Sequence, residues 1–162
     1  MFKTMQRQDF HILFINPPFL TRFSRESRSP AVAKSGTLYY PMWLCYAAAL
    51  SQRTGFSIDV VDAAPLNIKT DLIINERLSR KPNLVVVNTS TPSINNDIEV
   101  GVAFKDAFPD SKIIMVGPHV SALPEETMLM NDKVDACSWG SFDYVIRDYA
   151  LVLCEGGDFH SV

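Results

Sequence analysis

The chain has 162 residues, a mass of 18.1 kDa and a formal net charge of −3. Its composition, 47% hydrophobic and 20% charged, excludes a disordered chain, a collagen-like chain and a coiled coil. A chain of this length can bury roughly 68–70% of its unfolded surface, so we expect one domain with its own core. The negative charge does not favour nucleic acid as a partner.

No segment of the sequence predicts a membrane span or an export signal. The one continuous apolar stretch in the long uncharged run, residues 42–50, is far shorter than the about 20 residues that cross a bilayer. The first nine residues lack the apolar core of a signal peptide. Cys45, Cys137 and Cys154 are widely separated and predict neither disulfides nor a zinc site. We therefore expect a cytoplasmic protein without a membrane span.

Five apolar runs recur along the chain and predict buried strands. They are His11–Asn16, Ser57–Asp62, Leu84–Asn88, Lys112–Val116 and residues 134–138. The first four are rich in Val and Ile and do not alternate, which is typical of strands covered by helices on both faces. The fifth is shorter and more mixed.

Helices are predicted between these strands. They cover residues 41–53, 70–80 and 91–108, a segment that begins at Pro124, and a segment that follows Phe142. This alternation predicts an α/β, flavodoxin-like (Rossmann-like) fold, with a five-stranded parallel sheet in the order 2-1-3-4-5 and helices on both faces. We expect the domain to span residues 11–156. Residues 1–10 would form an N-terminal tail, and 157–162 a C-terminal tail or the start of a linker.

Five side chains in the helical segments are interpreted as core residues. Trp43, Tyr46 and Leu50 recur at helical spacing. Cys45 and Cys154 lie in apolar helical stretches and are predicted to be buried thiols.

Residues 19–40 are the only long stretch for which no element is predicted. The stretch carries four cations against the single acid Glu26, namely Arg22, Arg25, Arg28 and Lys34. A loop of this length inside a compact domain is usually functional or disordered. A solvated, mobile loop is therefore as well supported as a functional one.

Ligands of open α/β sheets bind at the carboxyl ends of the strands, and several common ligand loops are missing there. The sequence has no GxGxxG, GxxxxGK[ST] or GxSxG motif. A phospho-receiver would need acids where Asn16 and Asn88-Thr89 stand. A flavodoxin phosphate loop is replaced by Pro17-Pro18, which removes two backbone N–H donors.

The residues that follow the third, fourth and fifth strands are mostly small and uncharged. They are Thr89, Ser90, Thr91 and Ser93 after the third strand, Gly117, Pro118 and His119 after the fourth, and Gly140 and Ser141 after the fifth. Small side chains form hydrogen bonds without filling space, and glycine lets a ligand or another backbone approach closely. This pattern favours a bulky, mostly uncharged ligand with a tail inserted between strands and helices. A purely structural role, with capping hydroxyls, turn glycines and an ordinary hydrogen-bonding His119, stays open.

Six segments carry a resemblance that extends over residues 11–155. They are residues 15–18, the helix start at Tyr40-Pro41, and residues 59–63, 89–93, 116–126 and 140–144. In their order and spacing they resemble the N-terminal cobalamin (B12)-binding domain of B12-dependent radical-SAM enzymes. Those proteins continue into a barrel that carries an iron–sulfur cluster. This chain departs from them at Gly117, where paired glycines are usual, at Ser141, which replaces an acid, and in ending before a C-x-x-x-C-x-x-C signature.

The resemblance implies cobalamin as the cofactor and a radical-SAM catalytic domain as partner, in cis or in trans. It implies neither an iron–sulfur cluster nor a catalytic residue on this chain. The implied contacts to the corrin amides and the nucleotide tail come from Asn16, Pro17, Pro18, Thr89, Ser90, Thr91, Ser93, Gly117, Pro118, His119, Gly140 and Ser141, none of them a metal ligand. The loop after the first strand also lacks the D-x-H-x-x-G by which some B12 domains place a histidine on cobalt.

Two other functions remain open from the sequence. One is a small-molecule enzyme that uses S-adenosylmethionine or a nucleotide at the same sheet edge. The other is a regulatory or interaction domain that docks through the Arg-rich loop 19–40. Both are compatible with the same fold, because a fold does not determine a function.

Overall fold

A computed structural model describes residues 5–27 and 29–158. The strands, in chain order, are β1 (His11–Asn16), β2 (Phe23–Ser24), β3 (Ala31–Val32), β4 (Ser57–Asp62), β5 (Leu84–Asn88), β6 (Lys112–Val116) and β7 (Ala136–Ser138). Five of them form a parallel sheet in the order β4-β1-β5-β6-β7, while β2 and β3 form a separate antiparallel ribbon. The main sheet confirms the predicted order 2-1-3-4-5 and the flavodoxin-like fold.

The helices are α1 (Met42–Arg53), α2 (Ala63–Leu66), α3 (Thr70–Leu72), α4 (Ile94–Ala107), α5 (Pro118–Ala122), α6 (Pro124–Met130) and α7 (Asp143–Cys154). Short turns of other helix types cover Arg7–Asp9, Ile73–Arg77 and Thr91–Ser93. The sequence did not predict α2 and α5, and the single long helix predicted over residues 70–80 was wrong. Among the residues of that segment whose burial is described, only Ile73 is fully buried, so little packing stabilises a long helix there. Among the described residues, no helix is both long and apolar enough to cross a bilayer.

Two hydrophobic layers lie on opposite faces of the sheet. On one face Phe14 of β1 packs with Leu44 of α1 and Ile146 of α7. On the other face Leu13 of β1 packs with Phe104 of α4. Successive residues of a strand point to opposite faces, so the apolar residues of β5 alternate between the layers, with Leu84 and Val86 in one and Val85 and Val87 in the other. This explains why the strand sequences do not alternate between apolar and polar residues.

The prediction that Trp43, Tyr46 and Cys45 are core residues was wrong. Trp43 is 68% exposed and Tyr46 is 53% exposed, and Cys45 is also exposed. The buried stripe of α1 consists instead of Leu44, Ala47, Ala48 and Ser51. Its small residues let the helix approach the sheet closely, and the aromatic side chains are left on the outside. Cys154 is buried, as predicted.

Candidate functional site

One pocket opens at the carboxyl ends of β6 and β7, between the first turns of α1, α5 and α7. Its volume is about 260 Å³, and it is lined by Trp43, Tyr46, Gly117, Pro118, Ser121, Gly140, Ser141, Phe142 and Asp143. Four of the twelve residues proposed from the sequence, Gly117, Pro118, Gly140 and Ser141, meet in this pocket. The other eight lie outside its lining.

Two aromatic side chains that the sequence reasoning assigned to the core form one wall of the pocket. Trp43 and Tyr46 lie one helical turn apart on α1, with ring centroids 5.9 Å apart and an interplanar angle of 61°. Both side chains are more than half exposed, so ring surface is available to a ligand. Their position in the first turn of a helix that starts at the ligand-binding edge is the sequence signal that could have identified them.

The two glycines of the pocket differ in what surrounds them. At Gly117 (φ +109°) an added Cβ would lie 2.6 Å from the backbone oxygen of Thr89 and 2.8 Å from Oδ1 of Asn88. At Gly140 (φ +69°) an added Cβ would meet nothing within 4 Å. Gly117 therefore lets another part of the backbone approach, whereas Gly140 leaves open space in the pocket.

A serine hydroxyl joins the two glycine segments. Ser121 Oγ donates a hydrogen bond to the Gly117 carbonyl and accepts one from the Gly140 N–H, both at 3.0 Å. This bridge fixes the loop after β7 against the start of α5. The walls of the pocket are therefore held in place by the protein itself.

The hydroxyls that follow β5 bind other parts of the protein rather than lining the pocket. Thr89 is fully buried, and its N–H and its Oγ1 each lie 2.8 Å from the Val116 carbonyl that accepts from both. Ser93 Oγ donates to Asp97 Oδ2 at 2.6 Å and lies 2.7 Å from Ser90 Oγ. These contacts connect β5 to β6 and to α4, which is the structural role that the sequence had left open.

His119 is almost completely buried and lies outside the pocket lining. Its Nδ1 is 3.2 Å from Oγ1 of the exposed Thr91. Its Nε2 has no hydrogen-bond partner among the described residues, and neither does Oγ of Ser138 at the end of β7. Within residues 5–27 and 29–158, no group of three or more His, Cys, Asp and Glu side chains is placed to hold a metal ion.

The carboxyl ends of β1 and β5, in contrast, are covered by the segment 23–26. The Arg25 guanidinium donates to Asp97 Oδ1 and to the Pro17 carbonyl, each at 2.5 Å. Glu26 Oε1 accepts a hydrogen bond from Asn88 Nδ2 at 2.8 Å. The chain's own side chains therefore fill the point at which the strand order reverses.

Polar contacts continue around this covered end of the sheet. Asn16 Nδ2 donates to Asp62 Oδ1 at 2.7 Å, and the Pro18 carbonyl accepts from Asn96 Nδ2 at 2.8 Å. Burial raises the pKa of both Asp62 and Glu26. Asn16, Pro17 and Pro18 are thus engaged within the protein and are separated from the pocket.

The Arg-rich loop is more ordered than the sequence indicated. The expectation that residues 19–40 contain no element was wrong, since β2 and β3 pair within them. Arg25 is buried, Arg22 and Lys34 are exposed, and Arg28 lies outside the described residues. Burial of Arg25 removes one of the charges on which docking through this loop would depend.

Two solved structures are similar to this chain. The response regulator protein TrrA of Thermotoga maritima, solved with Mg²⁺ and BeF, matches 90% of this chain and 98% of its own length, with a TM-score of 0.50 and 16% identity. The N-terminal domain of a hypothetical protein of Thermotoga maritima matches 71% of this chain and 92% of its own length, with a TM-score of 0.44 and 20% identity. At such identities the likeness to TrrA supports the fold alone.

Sequence comparison identifies the family. No curated protein sequence matches the chain. The model of the B12 binding domain family matches residues 28–150, well over half of the chain. The matched region contains β5, β6 and all nine of the residues that line the pocket. The chain therefore belongs to the B12-binding domain family.

Proposed function

We propose that this chain binds cobalamin at the carboxyl ends of β6 and β7, as the corrinoid module of a B12-dependent radical-SAM enzyme of the cytoplasm. The observation that carries the proposal is the pocket between α1, α5 and α7 in a chain of the B12-binding family. Its volume of about 260 Å³ is below the roughly 300–1,000 Å³ that holds a whole drug-sized ligand. It therefore suits one part of the cofactor, the planar base of the nucleotide tail.

The residues present fit such a base. Trp43 and Tyr46 offer exposed aromatic faces for stacking, and Gly140 leaves the adjacent space open. The Ser138 hydroxyl and the His119 Nε2 are buried without a partner among the described residues. Neither residue lines the pocket. A buried polar atom that makes no hydrogen bond is costly, so an ordered water, or a ligand group that reaches past the lining, would stabilise both.

The corrin ring is too large for the pocket, so we place it over the strand ends. Exposed Thr91, Pro118 and Ser141 would contact its amides through hydroxyl and backbone groups. The other residues proposed from the sequence would support this edge from within the protein, namely Asn16, Pro17, Pro18, Thr89, Ser90, Ser93, Gly117 and His119. Bound cobalamin would make cobalt chemistry, such as methyl transfer, available to a radical-SAM catalytic domain, in cis or in trans. This chain itself would bind and orient the cofactor.

A binding experiment tests the proposal. Purified protein mixed with hydroxocobalamin should retain the coloured cofactor through desalting. Stacking of a base on an aromatic ring contributes about 1–3 kcal/mol, so Trp43→Ala should weaken the affinity by about 5- to 150-fold. Trp139 is equally exposed, at 68%, but lines a different groove, so Trp139→Ala is the matched control.

Two results would count against the proposed function. A colourless desalted wild-type protein, together with no heat of binding in calorimetry, would exclude cobalamin as its ligand. Equal losses of affinity in Trp43→Ala and Trp139→Ala would exclude the pocket as the place where the base binds.

A further inference from the structure

The segment 23–26 combines deep burial with a position in a surface loop. Phe23, Ser24 and Arg25 are buried, whereas the residues just before them, Thr21 and Arg22, are exposed. A long charged side chain is almost never fully buried without a partner. The burial of Arg25 therefore calls for a specific role in the structure around it.

Arg25 joins three separate elements. Its Nη1 reaches the Pro17 carbonyl after β1, and its Nη2 reaches Oδ1 of Asp97 in the first turns of α4. Its side chain is 1% exposed and that of Asp97 is 0% exposed. The guanidinium is thus a fixed crosslink between the loop, the end of β1 and the start of α4.

Asp97 is in turn held by several donors besides Arg25. Ser93 Oγ donates to it at 2.6 Å, Asn96 Nδ2 at 3.2 Å and the Ser90 N–H at 3.3 Å. A buried carboxylate with this many hydrogen bonds has no freedom to follow a moving loop. Breaking a buried ion pair leaves an uncompensated charge behind, so the Arg25–Asp97 contact is expected to persist when a ligand binds.

A second contact anchors the next residue. Glu26 Oε1 accepts from Asn88 Nδ2 at the end of β5. Together, Arg25 and Glu26 close the switch point between β1 and β5, where an open α/β sheet ordinarily binds its ligand. The open pocket lies beside it, at the ends of β6 and β7.

We propose that Arg25 is a positioning residue that locks the segment 23–26 as a preformed wall of the corrinoid site, at the switch point between β1 and β5. This inference rests on the proposed function. The wall remains closed when the ligand binds, so it is not a gate. A preformed wall favours binding because the loop need not be ordered in the complex.

The test uses the whole chain and a variant that removes both charges, Arg25→Met with Asp97→Asn. Asparagine keeps a hydrogen-bonding group for Ser93 and Ser90, so no buried charge is left unpaired. Lys34→Met, an exposed cation of the same loop, is the matched control. Circular dichroism and thermal melts confirm that each variant is folded.

Hydrogen–deuterium exchange without ligand examines the crosslink itself. The amides of residues 23–26 should exchange at least about tenfold faster in the double variant than in wild type, with β1 and β5 unchanged. Lys34→Met should exchange as wild type does. Continued protection of the segment in the double variant would overturn the role of Arg25.

Hydroxocobalamin titration examines the wall. The double variant should bind at least about tenfold more weakly than wild type, and Arg25→Lys should fall between them because an ammonium cannot form the two-pronged contact. Unchanged affinity in a double variant whose segment is released would overturn the wall. Faster exchange of residues 23–26 in wild type on adding cobalamin would show that the segment opens as a gate, which would also overturn its role as a preformed wall. A wild-type chain that binds no cobalamin overturns the proposed function, whereas a normally binding double variant overturns the wall alone.

Discussion

Replacing Gly117 by alanine should destabilise the fold far more than the same change at Gly140. At Gly117 the backbone has φ +109° and ψ −173°, a conformation almost restricted to glycine that costs other residues about 1–3 kcal/mol. The added methyl would also lie 2.6 Å from the Thr89 carbonyl oxygen, and a backbone atom cannot move aside cheaply. We expect Gly117→Ala to lower the free energy of unfolding by about 3 kcal/mol or more.

At Gly140 only the left-handed backbone matters, because an added Cβ meets nothing within 4 Å. The expected loss is about 1–2 kcal/mol. For a chain of this size about 1 kcal/mol shifts the Tm by roughly 2–4 °C. The two variants should therefore differ in Tm by several degrees in calorimetry, with Gly117→Ala the lower. Equal Tm losses would refute the reasoning, since both residues have positive φ and only the contact with Thr89 distinguishes them.

Three further predictions concern titration and the thiols. Burial lowers the pKa of His11 below 6.5, so the unfolded chain binds the proton more tightly than the folded chain does. The Tm should therefore fall as the pH drops below about 6.5. The variant His11→Gln should show a weaker dependence of Tm on pH in this range. Burial opposes the charge of Asp135, but two lysines and a backbone N–H outweigh it and hold its pKa below 3.8. The stability that ionised Asp135 gives to the fold should be complete above about pH 3.8 and should be lost as the pH falls below that value. In an acid titration, Asp135→Asn should lose correspondingly less stability over this pH range than wild type does. Cys45, Cys137 and Cys154 should not assemble a [4Fe–4S] cluster; 5′-deoxyadenosine formed from S-adenosylmethionine after reconstitution with iron and sulfide would contradict this.

The sheet could be predicted because its signal is local and redundant. Each central strand, such as β5 with Leu84–Asn88, is a continuous run of residues suited to burial on both faces. The order of the strands was then predicted as the common order of a five-stranded, flavodoxin-like sheet. The α1 helix shows the limit of this reasoning: its uncharged surface gave no contrast between faces, so Trp43 and Tyr46 were placed inside when the small residues Ala47 and Ala48 are the buried ones.

The site was less predictable because its features depend on distant parts of the chain. Gly117 and Gly140 both follow strands and look equivalent in sequence, yet only one meets another backbone. The Arg25–Asp97 pair joins residues 72 positions apart. One local signal did exist. Asp97 lies between Ile94 and Ile98, on the apolar stripe of α4 that packs against the core. An acid in such a stripe predicts a buried partner.

No histidine of this chain is expected to coordinate the cobalt of a bound corrinoid. The loop after β1 has no histidine, and the segment that covers the end of β1 presents Arg25 instead. His11 lies at the amino end of β1, where Ser57 and Asp59 hold its two ring nitrogens. His119 is 4% exposed and faces Thr91 outside the pocket lining. His160 lies outside the described residues.

Electron paramagnetic resonance of the cob(II)alamin form, in wild type and in His119→Ala, provides the measurement. We expect identical spectra, because the ring of His119 would have to leave its buried position to reach a metal over the strand ends. The unpartnered Nε2 makes this histidine the one residue of the described chain that could contradict the prediction. Superhyperfine splitting from a single nitrogen, present in wild type and absent from His119→Ala, would assign the cobalt ligand to His119. It would also mean that α5 rearranges when the cofactor binds.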